Sequence, residues 1–336
     1  MKKANAPYLA PVPAKRNFNP ARLVGKDLAA AETKLSRLLD SNESLIAEIC
    51  HYLIDGGGKR LRPTFILLIY RACGGSDDSI EDAIDAAIAL ELIHSATLLH
   101  DDIIDSGVLR RGKASAYARY GFGPTLIAGD YLFCRAFELC GRFDERLVRT
   151  AARACIELSE GEVMEGRFRH NSAASFDDYL AVITRKTASL FHAGGKVAAD
   201  LAGASPRLID AMAKLGTAMG LAFQMIDDLL DILGPEERIG KPVGSDIRAG
   251  IPSLPVVLGV ARSLELKRLF QNATRMEGPI LERALELLRD PALLSEARGK
   301  AAEQVAVARG LLRELKPSPY RDALAQVLDD QTSREV

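Results

Sequence analysis

Residues 83–99 read AIDAAIALELIHSATLL, and this run is apolar on nearly every side when it is wound into a helix. A helix that is hydrophobic all round is buried among other elements of the protein. The next residues, HDDIIDSGVLRRG at 100–112, place three aspartates and two arginines directly after the run. Salt bridges on a solvated face are the plain alternative, but carboxylates on a buried helix need a cation. The sequence therefore predicts a central helix that brings acidic side chains to the wall of a cavity.

The rest of the chain also has the periodicity of helices. Apolar residues recur at helical spacing from Leu23 to the C-terminus, and strict alternation of apolar and polar residues is absent. SIED at 79–82 and SFDD at 175–178 are predicted capping boxes, and Ser205–Pro206 is a predicted helix start. Because no break resembles a flexible linker, we predict one all-α domain over residues 23–336, a helical bundle around a central cavity, after a flexible tail over residues 1–22.

The composition excludes several classes of protein. The 336 residues carry a formal net charge of −1, so no overall electrostatic field favours nucleic acid or an anionic membrane. The five cysteines are odd in number and form no CxxC pair, which argues against a disulfide framework or a zinc site. The N-terminus lacks the apolar core of a secretory signal, and we find no run that is long enough to span a bilayer. We therefore expect a cytoplasmic protein.

The acidic cluster after the first run occurs a second time in the chain, within FQMIDDLLDILG at 223–234. In a helix, positions i and i+4 share a face, so each DDxxD presents two carboxylates together and a third alongside. One such cluster could be a solvated acidic turn, but two clusters on apolar helices indicate bound metal. Ligands that are all oxygen favour magnesium or manganese over zinc. The predicted metal ligands are Asp101, Asp102, Asp105, Asp227, Asp228 and Asp231.

Basic residues cluster in several places. GGGKRLRP at 56–63 combines a glycine-rich turn with three cationic side chains, so backbone N–H groups and side chains can converge on a diphosphate. A basic loop before a helix is the alternative, and three glycines before the charges make it less attractive. The cations suggest two anionic pockets, one reached through metal and one held directly by Lys and Arg. Further basic residues near the acidic clusters are Arg110, Arg111, Lys186 and Lys241.

Five motifs occur in the order and approximate spacing of a known family: GGGKRLRP, HSATLLHDDIIDSGVLRRG, RKT, FQMIDDLLD and GKPVGSD. On these motifs the chain resembles a trans-type isoprenyl diphosphate synthase of the polyprenyl synthetase family, most of all the long-chain polyprenyl diphosphate synthases. The resemblance covers residues from about Leu23 to the C-terminal helices. It implies an isoprenoid synthase-type bundle, a homodimer, and transient membrane contact on release of a lipid product.

The resemblance also implies a reaction and roles for individual residues. Three Mg²⁺ ions, with Mn²⁺ as a substitute, would bind the diphosphate of an allylic substrate, which ionises to a cation that isopentenyl diphosphate attacks. The released diphosphate would remove the final proton. Catalysis is implied for Asp101, Asp102, Asp105, Lys186, Asp227 and Lys241. Isopentenyl diphosphate binding is implied for Gly58, Lys59, Arg62, His94 and Arg111. Allylic diphosphate binding is implied for Arg110, Lys186, Thr187, Gln224 and Lys241.

Two further residues stay open at this stage. His94 could be a hydrogen-bonded core histidine, but it lies two helical turns before Asp101 and so shares its face, which favours a ligand role. The sequence leaves open whether Asp246 contacts metal or substrate itself or acts through another residue. One departure from the family pattern is Ile251, where many relatives carry lysine.

Product length is predicted from the residues before the first acidic cluster. Short-chain relatives place an aromatic at the fourth or fifth residue before the first Asp, or insert two residues into the motif, and this chain has neither. Thr97 and Ala96 are small, with Ile93 another turn below, so we predict a product of about thirty to fifty carbons for quinone side chains. The alternatives are a farnesyl or geranylgeranyl diphosphate synthase, a class I terpene cyclase, and a non-catalytic subunit of a heteromeric synthase.

Overall fold

The computed structural model describes residues 19–58, 60–234, 243–272 and 276–332. Nearly all of the regular structure in these ranges is helical, so the predicted all-α fold is confirmed. Short 3₁₀ turns cover Pro20–Val24 and Leu312–Glu314, and a π-turn covers Thr184–Ala188. The α-helices are α1 (Gly25–Leu38), α2 (Ser44–Ile54), α3 (Leu61–Ala72), α4 (Ile80–Ile104), α5 (Ala116–Tyr120), α6 (Phe122–Cys140), α7 (Glu145–Phe168), α8 (Phe176–Ile183), α9 (Ser189–Leu201), α10 (Pro206–Leu233), α11 (Ser245–Arg248), α12 (Leu254–Arg262), α13 (Leu264–Asn272), α14 (Gly278–Leu288), α15 (Pro291–Leu311) and α16 (Pro319–Thr332).

The centre of the bundle is α4, the helix predicted from the apolar run. Residues on all of its sides are buried, because α3, α6 and α9 pack around it. By length and composition α4 could also cross a membrane, which corrects the expectation that no run is long enough. Its most apolar window is 83% buried inside the protein, as in the core helix of a bundle.

The second long helix, α10, packs closely along α9. At Gly216 an added Cβ would lie 2.1 Å from the backbone oxygen of Phe191, so only glycine allows this approach of the two backbones. Both acidic clusters lie near the C-terminal ends of their helices, the first on α4 and the second on α10. This arrangement positions the clusters to face a shared space.

One element departs from pure helix. Leu109–Arg110 (β1) pairs antiparallel with Lys113–Ala114 (β2), with Arg111 and Gly112 at the turn. Both turn residues have positive φ, 52° and 75°, which suits the tight turns of hairpins. Apolar and polar alternation cannot signal a hairpin with two-residue strands. The hairpin holds the predicted ligands Arg110 and Arg111 directly beyond α4.

The predicted helix starts are borne out at two of three sites. Ser175 and Asp178 form the capping box of α8, and Ser205 caps α10 before Pro206. The box predicted at 79–82 is wrong: Ser79 precedes α4, but its side chain accepts no capping hydrogen bond. Its ψ of 11° is not the extended conformation that a capping side chain needs.

The first described residues also differ from the expectation. Residues 20–22 were assigned to the tail, yet they belong to the turn Pro20–Val24, whose first and last residues are buried. Asn19 caps this turn through its side chain. The single-domain boundary itself remains a prediction.

Candidate active site

A cavity of about 280 Å³ lies between α3, α4, α7, α9, α10, the hairpin and the π-turn. We call it the central cavity. It joins one carboxylate from each acidic cluster to cations from three separate segments of the chain. It is lined by Arg62, His94, Thr97, Leu98, Asp101, Arg110, Arg111, Leu158, Glu162, Lys186, Thr187, Leu190, Phe223, Gln224 and Asp227.

The three aspartates of the first acidic cluster lie in three different environments. Asp101 lines the central cavity, and burial raises its pKa to about 7, with Glu162 and Asp105 adding to the shift and Lys186 and Arg110 opposing it. Asp102 is buried and accepts a 2.7 Å hydrogen bond from Arg110 Nε, so it holds the hairpin. Asp105 is 37% exposed and forms an ion pair with Arg169. Thus Asp101 faces the cavity, and Asp102 does not line it.

The aspartates of the second acidic cluster also lie in different environments. Asp227 lines the central cavity. Asp228 is buried and accepts three hydrogen bonds, from the Tyr179 hydroxyl (2.8 Å), Gln224 Nε2 (2.8 Å) and the backbone N–H of Leu254 (2.9 Å). These donors occupy the oxygens that the sequence assigned to metal. The geometry therefore favours a positioning role for Asp228 over direct ligation.

Asp231 also lies away from the central cavity. It is buried and accepts hydrogen bonds from the Ser245 hydroxyl and from the backbone N–H of Asp246, at 3.2 Å for the latter. The expectation that positions i and i+4 would face the site together is therefore wrong for Asp227 and Asp231. The helix places them on similar sides, but the segment that begins at residue 243 packs over the second of them.

The basic wall of the cavity consists of Arg62, His94 and Arg111. The Arg62 guanidinium lies 4.9 Å from the centre of the Phe191 ring, and its buried Nε has no hydrogen-bond partner. Burial lowers the pKa of Arg62 and of Arg111. For His94, burial and the three neighbouring arginines, Arg110 included, lower the pKa well below its usual value. His94 is therefore neutral at neutral pH and can offer a hydrogen bond, not a charge.

The glycine-rich turn lies behind this wall. A Cβ added at Gly58 would lie 3.1 Å from Arg60 Nη1 and 3.5 Å from Arg111 Nη2, so the turn is packed against both guanidinium groups. Arg60 does not line the central cavity, and its Nε donates to Glu32 at 2.5 Å. Lys59 and Lys241, both predicted ligands, lie outside the described residues.

Two glutamates that the sequence analysis did not identify complete the acidic side. Glu162 and Glu165, one turn apart on α7, each lie 2.7 Å from Lys186 Nζ. Burial alone would lower the pKa of Lys186, but these glutamates and Asp101 outweigh it and raise the pKa. Burial raises the pKa of Glu165. The sequence feature that could have identified them is the spacing of Glu162 and Glu165 in SEGEVMEG at 159–166, which places both acids on one side of a helix.

A second cavity, of about 170 Å³, opens beside the first, and we call it the mouth cavity. Lys186, Thr187 and Gln224 line both cavities, and Thr187 Oγ1 donates to Gln224 Oε1 at 2.8 Å. Asp246, left ambiguous by the sequence, lies in this wall. The mouth cavity is lined by Asp105, Glu165, Phe168, Ala174, Tyr179, Val182, Ile183, Lys186, Thr187, Gln224, Asp228, Asp246, Ile251, Pro252 and Ser253.

Of the three residues predicted to control product length, Thr97 lines the central cavity. Ala96 and Ile93 are completely buried in the main core and do not line it. One residue along a helix is a rotation of about 100°, so Ala96 lies on a different side of α4 from Thr97. One turn after Ala96, His100 lies so close to Gly129 of α6 that an added Cβ would be 2.2 Å from its ring.

The donor set fits a divalent cation that is shared with a phosphate. Among the described residues, no three acidic, histidine or cysteine side chains lie close enough to hold one metal ion by themselves. Magnesium at phosphate sites usually takes one or two carboxylates and completes its shell with water and phosphate oxygens. Asp101 and Asp227 in the central cavity, with Asp105 in the mouth cavity, provide such all-oxygen partial sites.

The chain is similar to known proteins over most of its length. The family profile described as polyprenyl synthetase matches residues 43–288. Octaprenyl diphosphate synthase from Escherichia coli K12 is 33% identical over 306 residues, which cover 90% of this chain and 94% of that protein. Short chain isoprenyl diphosphate synthase from Methanothermobacter thermautotrophicus is 35% identical over 303 residues, covering 88% and 92%. The chain belongs to the polyprenyl synthetase family.

The fold agrees with this assignment. The crystal structure of polyprenyl synthase from Caulobacter crescentus CB15, complexed with calcium and isoprenyl diphosphate, matches with a TM-score of 0.90 and 34% identity, covering 95% of this chain and 98% of that one. As a member of the family, the protein is a prenyltransferase, a trans-isoprenyl diphosphate synthase. The family uses isopentenyl diphosphate and allylic diphosphates, generally with Mg²⁺.

Proposed function

We propose that this synthase condenses isopentenyl diphosphate with an allylic diphosphate to give a long-chain, all-trans polyprenyl diphosphate of about thirty to fifty carbons. The observation that carries the proposal is the composition of the central cavity. Its lining combines the carboxylates Asp101 and Asp227 with the basic side chains Arg62, His94 and Arg111. Such a cavity suits two diphosphates, one approached through metal and one bound directly.

The proposed reaction uses these two sets of side chains in turn. The allylic diphosphate lies near Asp101 and Asp227, with Lys186 and Arg110 beside it, and its carbon–oxygen bond breaks so that diphosphate leaves with the electron pair. Arg62 and Arg111 hold isopentenyl diphosphate so that its double bond attacks the allylic carbon. The new carbon–carbon bond leaves a tertiary cation, which loses a proton to the released diphosphate and becomes an alkene.

The proposed reaction also includes divalent metal ions that bind the leaving diphosphate. Three Mg²⁺ ions per site, held at Asp101, Asp105 and Asp227, would neutralise charge on the leaving diphosphate and so favour its departure. Asp228 and Asp246 both line the mouth cavity, and Asp246 is the next candidate ligand because Asp228 already accepts three hydrogen bonds. Asp228 and Asp231 would act indirectly, because their oxygens hold the segment that begins at residue 243, whereas Asp102 holds the hairpin through Oδ1 and its buried Oδ2 has no hydrogen-bond partner among the described residues.

The long product is supported by the apolar part of the central cavity. Thr97 is small, and Leu98, Leu158, Leu190 and Phe223 offer a surface that suits a prenyl tail. Relatives include both an octaprenyl and a short chain synthase, so a farnesyl or geranylgeranyl product is the second candidate. A longer tail would have to extend past Ala96, towards α6.

The decisive experiment incubates the purified chain with Mg²⁺, labelled isopentenyl diphosphate and farnesyl diphosphate, followed by separation of dephosphorylated products by length. We expect linear products of about thirty to fifty carbons. A product of fifteen or twenty carbons would contradict the long-chain proposal. A cyclic hydrocarbon would indicate a terpene cyclase, and no product without a second protein would indicate a subunit of a heteromeric enzyme.

We also propose a homodimer. Among the described residues, large exposed apolar side chains concentrate between residues 104 and 163, on the end of α4, the hairpin, α6 and α7. A contiguous exposed apolar patch is typical of an interface, and we propose that these side chains contribute to one. Sedimentation velocity should give about twice the chain mass of 36.4 kDa. The side chains are Ile104, Val108, Leu109, Phe122, Ile127, Phe137, Ile156 and Val163.

The cytoplasmic location, the transient membrane contact and the quinone-related use of the product remain proposals that follow from the sequence. Fractionation of cells that produce the tagged chain would check the location. Recovery in the membrane fraction at high salt would contradict it.

A further inference from the structure

We propose that Arg169 binds the diphosphate of the allylic substrate at the mouth cavity, as an additional cation beyond those implied by the family's motifs. The inference rests on the proposed function, because it assumes an allylic diphosphate in this place. Four observations carry it: the anchoring of the segment after α7, the position of Arg169 beside Ile251, the ion pair with Asp105, and the charge of the mouth cavity.

The segment after α7 is fixed to the segment after the second acidic cluster. The backbone N–H of His170 donates to the backbone oxygen of Gly250 at 2.7 Å. The His170 ring covers Gly250 so closely that an added Cβ would lie 2.4 Å from it. His170 has a φ of 57°, an uncommon conformation for a residue other than glycine. Two contacts thus hold this crossing in one geometry and maintain the uncommon backbone conformation of His170.

The contact between His170 and Gly250 also brings the residues next to them in the chain close together. Arg169 precedes His170 and Ile251 follows Gly250, so the arginine starts beside the position at which the resemblance leads us to expect a lysine. Ile251 lines the mouth cavity. A cation that is absent at residue 251 is therefore available from residue 169, on a different segment of the chain.

The guanidinium of Arg169 contacts a residue of the cavity wall, although Arg169 is not itself among the described lining residues. It forms an ion pair with the carboxylate of Asp105, which lines the mouth cavity. Both side chains are partly exposed, 28% for Arg169 and 37% for Asp105, so the pair contributes little stability and its partners can exchange easily. If Asp105 held a divalent cation, the guanidinium of Arg169 would lose this partner and its donors would be available to a phosphate at the same place.

The charge of the mouth cavity calls for such a donor. Its described lining contains four acids, Asp105, Glu165, Asp228 and Asp246, against a single Lys or Arg, which is Lys186. That lysine is in contact with Glu162 and Glu165. A diphosphate that enters this space therefore gains from a further cation, and the planar fork of an arginine matches two phosphate oxygens at once.

The first test is kinetic and uses Arg169→Gln. We expect the KM for farnesyl diphosphate to rise about tenfold or more, with a much smaller change in the KM for isopentenyl diphosphate, because that substrate binds at the other wall. The matched control is Arg167→Gln, which removes an exposed arginine two residues earlier on α7 and should leave both constants unchanged. Circular dichroism and thermal melting check that both variants fold as the wild type does.

The second test is rescue. Ile251→Lys places a cation at the neighbouring position, so the double variant Arg169→Gln/Ile251→Lys should recover most of the lost affinity for farnesyl diphosphate. Ile251→Met in the same background supplies length without charge and should not. Equal recovery with methionine would overturn the electrostatic role.

The third test measures binding without turnover. A thiolo analogue of farnesyl diphosphate, in which sulfur replaces the bridging oxygen, is titrated calorimetrically in the presence of Mg²⁺. Arg169→Gln should bind it about tenfold more weakly than wild type and Arg167→Gln equally well. If Arg169 is only a counter-ion of Asp105, the variant will need less Mg²⁺ for half-saturation and its affinity for the analogue will be unchanged, which would overturn the proposal.

The failure of this inference can be told apart from failure of the proposed function. If the wild type transfers no prenyl group, the proposed function is wrong, and the titration still decides whether Arg169 binds the diphosphate. If the wild type is active and Arg169→Gln matches it in KM and in analogue affinity, only the role of Arg169 is wrong.

Discussion

Asp101 lies where its own charge is disfavoured. Burial is the main reason that its pKa is raised to about 7 from 3.8, and Glu162 and Asp105 add to the shift. The folded protein therefore binds a proton at this side chain more tightly than the unfolded chain does. Below about pH 4 both states are protonated and folding carries no penalty, whereas between pH 4 and 7 the penalty grows, and above pH 7 it is complete.

We expect Asp101→Asn to stabilise the metal-free protein in a pH-dependent way. The gain in Tm over wild type should be near zero at pH 4, increase up to pH 7 and then stay constant, at roughly 2–6 °C. The measurement is thermal melting in EDTA across this range. Asp210→Asn is the control, since Asp210 is exposed, is paired with Lys214 on α10, and does not contribute to the shift of Asp101, so it should not give this profile. A gain for Asp101→Asn that does not depend on pH would contradict the argument.

Substitution of the two adjacent aspartates of the second cluster should affect different properties, turnover for Asp227 and stability for Asp228. Asp227→Ala should reduce Mg²⁺-dependent turnover by roughly a thousandfold or more and leave Tm unchanged, because its side chain faces the cavity. Asp228→Ala should lower the free energy of unfolding by about 2–4 kcal/mol, because the Tyr179 hydroxyl and the Leu254 N–H lose their buried acceptor.

Turnover assays and chemical denaturation of the two variants separate these outcomes. If Asp228→Ala melts like the wild type and loses only turnover, its original assignment as a metal ligand is right and the positioning role is wrong. If Asp227→Ala retains wild-type turnover, the mechanism with two acidic clusters is wrong.

At the scale of elements, the contact of α9 with α10 sets the spacing of the site. The π-turn before α9 carries Lys186 and Thr187, and α10 carries Gln224 and Asp227, so the distance between these helices controls the bond from Thr187 to Gln224. Gly216 permits their approach. Packing at a position two turns from Gln224 therefore affects the geometry of the chemistry.

We expect Gly216→Ala to destabilise the protein by about 2–3 kcal/mol, because the added methyl group must move a backbone and not a flexible side chain. The Thr187–Gln224 contact should lengthen and kcat should fall as well. Chemical denaturation and steady-state kinetics measure the two effects. The control is Gly166→Ala on α7, where nothing lies within 4 Å of the added Cβ, so higher helix propensity should stabilise by up to about 1 kcal/mol. Stabilisation by Gly216→Ala would contradict the close approach.

At the scale of the whole molecule, product length depends on how far a tail can extend from the metal wall before it meets a barrier. Thr97 lies on the wall of the central cavity, whereas Ala96 is completely buried on a neighbouring side of α4. A tail of more than a few isoprene units must therefore separate side chains between α4 and α6. Half-buried Phe133 lies next to this contact, with its ring 5.9 Å from that of His100.

We expect Ala96→Phe to shorten the products towards fifteen or twenty carbons while ionisation of the substrate continues. A phenyl ring at this position fills the route between the helices that a longer tail would need. Chromatography of the dephosphorylated products measures the distribution. Thr97→Val, which keeps the shape of the side chain, should leave the distribution unchanged. An unaltered distribution for Ala96→Phe would show that the tail follows another route.

The sequence alone determined the chemistry and the class of fold. A run that is apolar on all sides indicates a helix surrounded by apolar groups, two DDxxD clusters on such helices indicate divalent cations, and glycines with adjacent cations suit a diphosphate. These inferences depend on neighbours along one helix or turn, which a sequence records directly. For this reason Asp101 and Asp227 could be proposed as metal ligands from local sequence, whereas the diphosphate-binding roles of Arg62, His94 and Lys186 were implied by the resemblance.

The tertiary structure decided which members of each cluster reach the cavity. Helical periodicity gives the direction of a side chain but not what packs over it, so Asp231 appeared equivalent to Asp227 until the segment beginning at residue 243 covered it. Glu162 and Arg169 were not recognised because their partners, Lys186 and Asp105, are 24 and 64 residues away along the chain. Contacts between distant segments depend on how the helices pack, and this information is not present in any local pattern of residues.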